Sequence, residues 1–271
     1  MIEQFKDFAR DRLTIERRQA LRQRLGALQG YAPRHKFSFD GAPAKASPSP
    51  YDFMVAPDDP LSELGRKFQP SKVIANYLPY YWMHFRDIRE SVKNVLEIGV
   101  QTDGSIRMWE EFFPNATITG IDILPECADF AGGRRRIAIG SQSDPSFLRR
   151  VVDDTDGPFD IVIDDGSHHS KDQIASFEFL YPRLSEHGIY VIEDTGLAYG
   201  DYSGQAVKSL KDLVDSVMYW PSGLEASHWR DADSLEGRAD WKAQNTVGIA
   251  FYRWIAFVMR GRNPQDNPFV L

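Results

Sequence analysis

Two short apolar runs in this chain end in paired carboxylates. Ile161-Val162-Ile163 runs into Asp164-Asp165-Gly166-Ser167-His168, and Tyr190-Val191-Ile192 runs into Glu193-Asp194-Thr195. Runs of Val, Ile and Tyr this short read as buried strands, so the acids come where the strands leave the core. Open α/β sheets bind ligands at the carboxyl ends of their strands. Two neighbouring strands would therefore carry Asp164, Asp165, Glu193 and Asp194 to one rim, with His168 beside them. Carboxylates that close repel unless a cation or bound donors compensate them. The implied chemistry is a divalent metal site, a polar-ligand site, or both. A plainer reading makes Asp164 and Asp165 caps of the following helix and His168 a solvent-facing residue of its first turn. Capping accounts for one acid but not for a second acidic pair on the next strand.

A second constellation lies upstream. The apolar run Asn94-Val95-Leu96 leads into Glu97-Ile98-Gly99-Val100-Gln101-Thr102-Asp103-Gly104-Ser105. Small residues let a backbone turn approach a ligand closely, and the helix that follows offers its positive end. These glycines do not make the dinucleotide fingerprint G-x-G-x-x-G, and Glu97 would repel a pyrophosphate. A strand-end acid with a looser glycine turn suits a cofactor that has no phosphate and carries positive charge, such as S-adenosylmethionine. Asp122, ending the run Ile118-Thr119-Gly120-Ile121, stands where a carboxylate commonly binds a ribose diol. Taken singly, Asp122 could equally cap a helix.

The elements that would position these residues alternate. Strands are predicted near 94–100, 116–123, 136–140, 159–163 and 189–192, with helices near 105–113, 145–152 and 172–184 between them. Thr246 to Arg260 is dense enough in aromatics, Ile and Val for one or two closing strands. Such βα alternation predicts an α/β, Rossmann-like, doubly wound and mainly parallel sheet. Helical patterning covers Leu61 to Arg89, with an aromatic-rich stretch from Tyr77 to Phe85. Tyr77, Tyr80, Tyr81, Trp82 and His84 there are either core or a wall for an acceptor. Trp220, His228, Trp229 and Trp241 lie in a stretch that could form an acceptor loop. The expected division is residues 1–60 as an N-terminal helical extension with a Pro/Ala/Ser-rich linker, and residues 61–271 as the main domain. The extension's apolar stripe would pack on the body or on another subunit, which points to a homo-oligomer.

Bulk properties narrow the function. The chain has 271 residues and a net charge of −7, which argues against a general nucleic-acid partner. A lone cysteine, Cys127, excludes an intrachain disulfide and fits a reducing compartment. No apolar run reaches the roughly 20 residues that span a bilayer, and the first residues lack the apolar core of a signal peptide. The expected place is the cytoplasm.

The run Val95-Leu96-Glu97-Ile98-Gly99, then Gly104-Ser105-Ile106-Arg107-Met108-Trp109, Phe113-Pro114 and Ile118-Thr119-Gly120-Ile121-Asp122-Ile123 resembles the macrolide-sugar O-methyltransferases of the mycinamicin and tylosin (macrocin) pathways. Gly157 to His168 continues the likeness, as do Phe177, Leu180, Pro182, Gly188 to Asp194, and Tyr199, with a looser echo in Phe251-Tyr252 and Gly261-Arg262-Asn263. The likeness runs from about residue 65 to 263 and is strongest between 95 and 200. It implies a class I S-adenosylmethionine-dependent fold and Mg²⁺-dependent transfer to a sugar hydroxyl. By matched position it implies Asp165, Glu193 and Asp194 as metal ligands and His168 as general base. It also implies cofactor contacts at Glu97, Gly99, Ser105, Asp122, Gln142 and Asp164. Two departures bear on the acceptor. Pro70-Ser71-Lys72 stands where the family carries Thr-Asp-Lys, with Ala75 near the place of a family His, and Thr195-Gly196-Leu197 replaces the aromatic that follows the Glu-Asp pair.

Mg²⁺ takes hard oxygen ligands and keeps several waters, so three strand-end carboxylates leave positions for two vicinal sugar hydroxyls. A metal-bound hydroxyl is more acidic and is fixed in line with the methyl group, and His168 would take its proton. Rival readings are methylation of a catechol-like or other vicinal-diol natural product, an antibiotic-tailoring enzyme related to the cephalosporin-modifying proteins, and a non-catalytic cofactor-binding accessory subunit.

Overall fold

Alternation within each strand explains how one sheet can be covered on both faces. Val95, Ile161, Ile163, Val191 and Phe257 point to one side, and Leu96, Val162, Tyr190, Ile192 and Val258 to the other. Both sets are buried, so neither face is left to solvent. The structure is a computed structural model and describes residues 59–197, 204–217 and 241–262. The expected N-terminal extension lies outside the described residues, as do Tyr199, Trp220, His228, Trp229 and Asn263.

Among the described residues three short helices come first: α1 (Pro60–Phe68), α2 (Ser71–Ile74) and α3 (Leu78–Phe85). Asp59 caps α1 by accepting from the Ser62 amide. The alternating part is β1 (Asn94–Ile98), α4 (Gly104–Phe112), β2 (Thr117–Asp122), β3 (Arg135–Ile139), α5 (Pro145–Asp153), β4 (Phe159–Asp164), α6 (Ser170–Leu180) and β5 (Leu184–Ile192). After it come α7 (Gln205–Val217), α8 (Trp241–Asn245) and the hairpin β6 (Thr246–Tyr252) and β7 (Ile255–Arg260). The sheet order is β3-β2-β1-β4-β5-β7-β6, with β3 to β5 parallel and the hairpin antiparallel. The order reverses between β1 and β4, which opens the crevice where such sheets bind ligands.

One boundary differs from expectation. The helix expected over 172–184 spans Ser170–Leu180, and Tyr181–Arg183 form a 3-10 turn. Pro182 lacks the amide that would continue the helix. Strand β5 then begins at Leu184 instead of Ile189, pairing with Phe159 through an irregular register. Among the described residues no helix is long and apolar enough to cross a membrane.

Register sets the rim level. Ile98 pairs with Asp164, and Asp164 with Ile192. The next residues are tied strand to strand: the Gly99 amide to Ile121 O at 2.8 Å, the Asp165 amide to Ile98 O at 2.9 Å, and the Glu193 amide to Asp164 O at 2.9 Å. Gly99, Asp165 and Glu193 therefore leave the sheet side by side.

Candidate active site

The rim at the end of β1 is built around Glu97, which is fully buried. Its Oε2 accepts from Ser105 Oγ at 2.8 Å and its Oε1 from Trp109 Nε1 at 3.3 Å, so the strand end is laced to the first turns of α4. Burial pushes this carboxyl up, and Lys72 opposes the shift. Gly99 has φ 87°, and a Cβ there would lie 2.1 Å from Asp165 O. Only glycine lets the β1 and β4 exits press together in this way. Asp122, at the end of β2, has its Oδ2 bound by the amides of Val100 and Gln101 at 2.8 and 2.9 Å, and its Oδ1 by Leu124 N at 2.9 Å. Its carboxylate thus shapes the turn after Gly99.

Asp164 is fully buried. Gln142 Nε2 reaches both of its oxygens at 3.0 and 3.1 Å, Ser176 Oγ donates at 2.5 Å and Tyr190 OH at 3.3 Å. Burial pushes this carboxyl up despite those donors. Gln142 Oε1 in turn accepts from Ser167 N at 2.8 Å, holding the backbone that leads into His168.

At the next two strand ends the acids meet an ammonium. Lys72, on α2, is fully buried, with Nζ 2.7 Å from Glu193 Oε1, 2.8 Å from Asp165 Oδ2 and 3.0 Å from Glu97 Oε1. Burial alone would lower its pKa, but Asp165, Glu193 and Glu97 together hold it well above the usual range. One ammonium thus faces three carboxylates. Burial and then Asp165 push Glu193 up. Tyr81 OH also donates to Glu193 Oε1, and Tyr77 OH donates to Asp194 Oδ1 at 2.6 Å. Both tyrosines come from the aromatic stretch at α3 and are buried, so they orient the acids from beneath rather than lining an open wall. Tyr80 stacks on Tyr252 with ring centroids 4.4 Å apart, and His84 Nε2 lies 3.0 Å from Tyr252 OH. Trp82 packs edge-on against Phe112.

His168 and Asp194 both hold left-handed backbone, with φ 58° and 53°. Such strain in non-glycine residues collects at functional sites. It brings His168 Nε2 to 3.6 Å from Asp194 Oδ2. Asp165, His168 and Asp194 each offer a ligand atom, all within 4.8 Å of one another. His168 Nδ1 is buried and has no hydrogen-bond partner in the structure. The third expected ligand, Glu193, stands beside this group with Oε1 turned to Lys72 and Tyr81. His169 precedes α6 at its N-cap position.

No protein-family model matches the chain. Individual proteins do. It is 37% identical over 228 residues to mycinamicin VI 2''-O-methyltransferase of Micromonospora griseorubida, which spans 76% of this chain and 54% of the relative. It is 34% identical over 201 residues to demethylmacrocin O-methyltransferase of Streptomyces fradiae, spanning 70% and 50%. The structure of the MycE methyltransferase of the mycinamycin biosynthetic pathway, in complex with Mg, SAH and mycinamycin VI, superimposes with a TM-score of 0.65 at 35% identity, over 78% of this chain and 56% of that one. This chain has the class I methyltransferase fold and is a homologue of antibiotic-sugar O-methyltransferases. It spans about half the length of the curated relatives it matches.

Asp164, Asp165, Glu193, Asp194 and His168 come to one rim as the strand-end pattern implied, but three of the groups that organise that rim were missed. Lys72 was visible only as the lysine of a divergent family element. Tyr77 and Tyr81 were visible only as members of an aromatic cluster. Lys72 meets Asp165 at a separation of 93 positions, Tyr81 meets Glu193 at 112 and Tyr77 meets Asp194 at 117, and no local spacing encodes that.

Proposed function

We propose that this chain is the catalytic part of an S-adenosylmethionine- and Mg²⁺-dependent O-methyltransferase whose acceptor is a sugar hydroxyl of a glycoside. The observation that carries the reading is the meeting of Asp165, His168 and Asp194 one strand away from the Glu97–Gly99 turn, in a homologue of sugar O-methyltransferases. Residues 61–271 are the methyltransferase domain in this reading, and 1–60 the extension.

The donor set fits a hard divalent cation, since carboxylate oxygens dominate and one ammonium leaves the acids undercompensated. Asp165 and Asp194 would hold it, with Glu193 contributing Oε2, because both side-chain bonds to Glu193 fall on Oε1. A bound Mg²⁺ supplies Lewis acidity that makes an acceptor hydroxyl easier to deprotonate. His168 would take that proton at Nε2, the nitrogen 3.6 Å from Asp194 Oδ2, whose negative charge would stabilise the imidazolium that forms. Tyr77, Tyr81 and Lys72 fix the carboxylates so that the acceptor hydroxyl is held in one geometry. On the donor side, Gly99 and the Asp122-braced turn give the backbone close approach, and Ser105 with Glu97 forms the floor. Gln142 and Asp164 hold the wall between donor and metal.

Incubation with isotope-labelled S-adenosylmethionine and rhamnosylated or other deoxysugar-bearing antibiotics, with and without chelator, tests this. Label in the sugar that is lost on chelation supports the reading. Transfer that chelator leaves untouched overturns the metal role.

A further inference from the structure

The hairpin that closes the sheet places its tip on the same rim as the catalytic strand ends. Strand β7 runs antiparallel to β5, pairing Ala256 with Ile192, so the chain enters β7 where β5 ends. The two residues at that tip are Arg253 and Trp254. Along the rim the order is the donor turn at β1 and β2, the acids of β4 and β5, then Trp254.

Trp254 has φ 67°, a left-handed backbone unusual for so bulky a residue. It is held there from the catalytic side. Its carbonyl accepts from Thr195 N at 2.9 Å and from Tyr77 OH at 3.3 Å, and the same Tyr77 hydroxyl donates to Asp194. The indole lies against Gly196, where a Cβ would come within 2.2 Å of the ring. Glycine two positions after Asp194 is therefore what admits the ring. Despite these ties the side chain is not core: Trp254 is 40% exposed, and Leu197, next to Gly196, is 42% exposed. Arg253 covers part of the ring, with its guanidinium carbon 5.2 Å from the centroid.

A half-exposed indole that a strained turn fixes beside the catalytic acids, on the side away from the donor, is a recognition surface more than a packing element. We propose that Trp254 is the platform on which the acceptor sugar stacks, its apolar C–H face on the indole and its hydroxyls turned toward Asp194 and His168. This rests on the sugar-acceptor reading above. It gives the chain's own rim a specificity role independent of the residues that hold donor and metal.

The test uses the whole chain with SAH and Mg²⁺ present and methyl α-L-rhamnopyranoside as probe. Binding is followed by saturation-transfer NMR and methyl transfer by labelled donor. W254A is expected to weaken rhamnoside binding and raise its KM about tenfold or more, as loss of an aromatic anchor does, with kcat and SAH affinity unchanged. W254F, which keeps a ring, is expected to retain most of the affinity. W254A that binds the rhamnoside as the wild type does overturns the platform. So does W254A that loses SAH and Mg²⁺ binding along with the sugar, which makes Trp254 structural. Wild-type protein that binds SAH and Mg²⁺ yet neither binds nor methylates any glycoside overturns the sugar-acceptor reading itself, and the platform falls with it.

Discussion

Lys72 Nζ lies 2.7 Å from Glu193 Oε1, and neither side chain has meaningful contact with solvent. The pair joins a helix that precedes the sheet to the end of its fifth strand. Because Nζ also reaches Glu97 and Asp165, a single buried cation ties the end of β1 to the acids at the ends of β4 and β5. Removing it leaves three carboxylates facing one another across a few ångströms. Lys72→Met is expected to lower stability by about 3–5 kcal/mol, the range for stripping one partner from a buried pair. The sign with pH is definite. Burial already pushes the Glu97 and Glu193 carboxyls up; without the ammonium these two are pushed further, the folded state binds more protons than the unfolded chain, and the deficit shrinks as pH falls. Urea unfolding of both proteins at neutral and mildly acidic pH reads this out, and a deficit that grows on acidification contradicts it.

His168 tests the proton-transfer role. His168→Ala is expected to slow methyl transfer by about 10²–10⁴, the usual worth of a general base, while SAH affinity stays the same. Pre-steady-state transfer assays alongside SAH calorimetry separate the two. Loss of SAH binding would reassign His168 to the donor pocket.

Gly99 tests the geometry of the donor turn. Gly99→Ala forces a Cβ against the Asp165 carbonyl at a positive φ, a strain of about 1–3 kcal/mol. The outcome expected is weaker SAH binding together with a lower Tm. A variant that folds and binds SAH normally means β1 and β4 do not close as described.

Cys127 offers a prediction away from the site. Burial pushes its thiol up to about 12, with Asp122 adding to the shift. The unfolded thiol ionises near ~8.5. Between those values the folded state keeps a proton that the unfolded state has lost, so this group's contribution to stability is whole below ~8.5 and fades as pH rises toward 12. Iodoacetamide at pH 8 is expected to leave the folded protein unmodified and to label it in denaturant. Rapid labelling of the native protein would contradict that burial.

Much of this arrangement was legible in the chain. Apolar runs that stop at Asp164-Asp165 and at Glu193-Asp194 revealed both strands and the acids at their ends, because strand burial and strand ends leave a local pattern. The dense apolar stretch from Thr246 to Arg260 left one or two closing strands open, where the sheet has two, and the five parallel strands followed from the alternation of runs and helical stretches. The length of α6 did not, since Pro182 acted one turn earlier than the apolar spacing implied. Asp122 shows a different limit. Its type and place marked a ribose ligand or a cap, and nothing local announced that three backbone amides of the turns after β1 and β2 would bind its carboxylate. The roles of Lys72, Tyr77, Tyr81 and Trp254 depend on contacts made across the whole fold, which residue types in one segment cannot announce.

The claim on which the rest stands is that Asp165 and Asp194 gather a divalent cation beside the donor turn. Calorimetric titration of MgCl₂ into the protein saturated with SAH addresses it, repeated for Asp165→Asn and Asp194→Asn. The account predicts one Mg²⁺ site in the unaltered protein that is lost in both variants while SAH binding persists. Mg²⁺ binding that survives both substitutions, or SAH binding with no Mg²⁺ site at all, contradicts it.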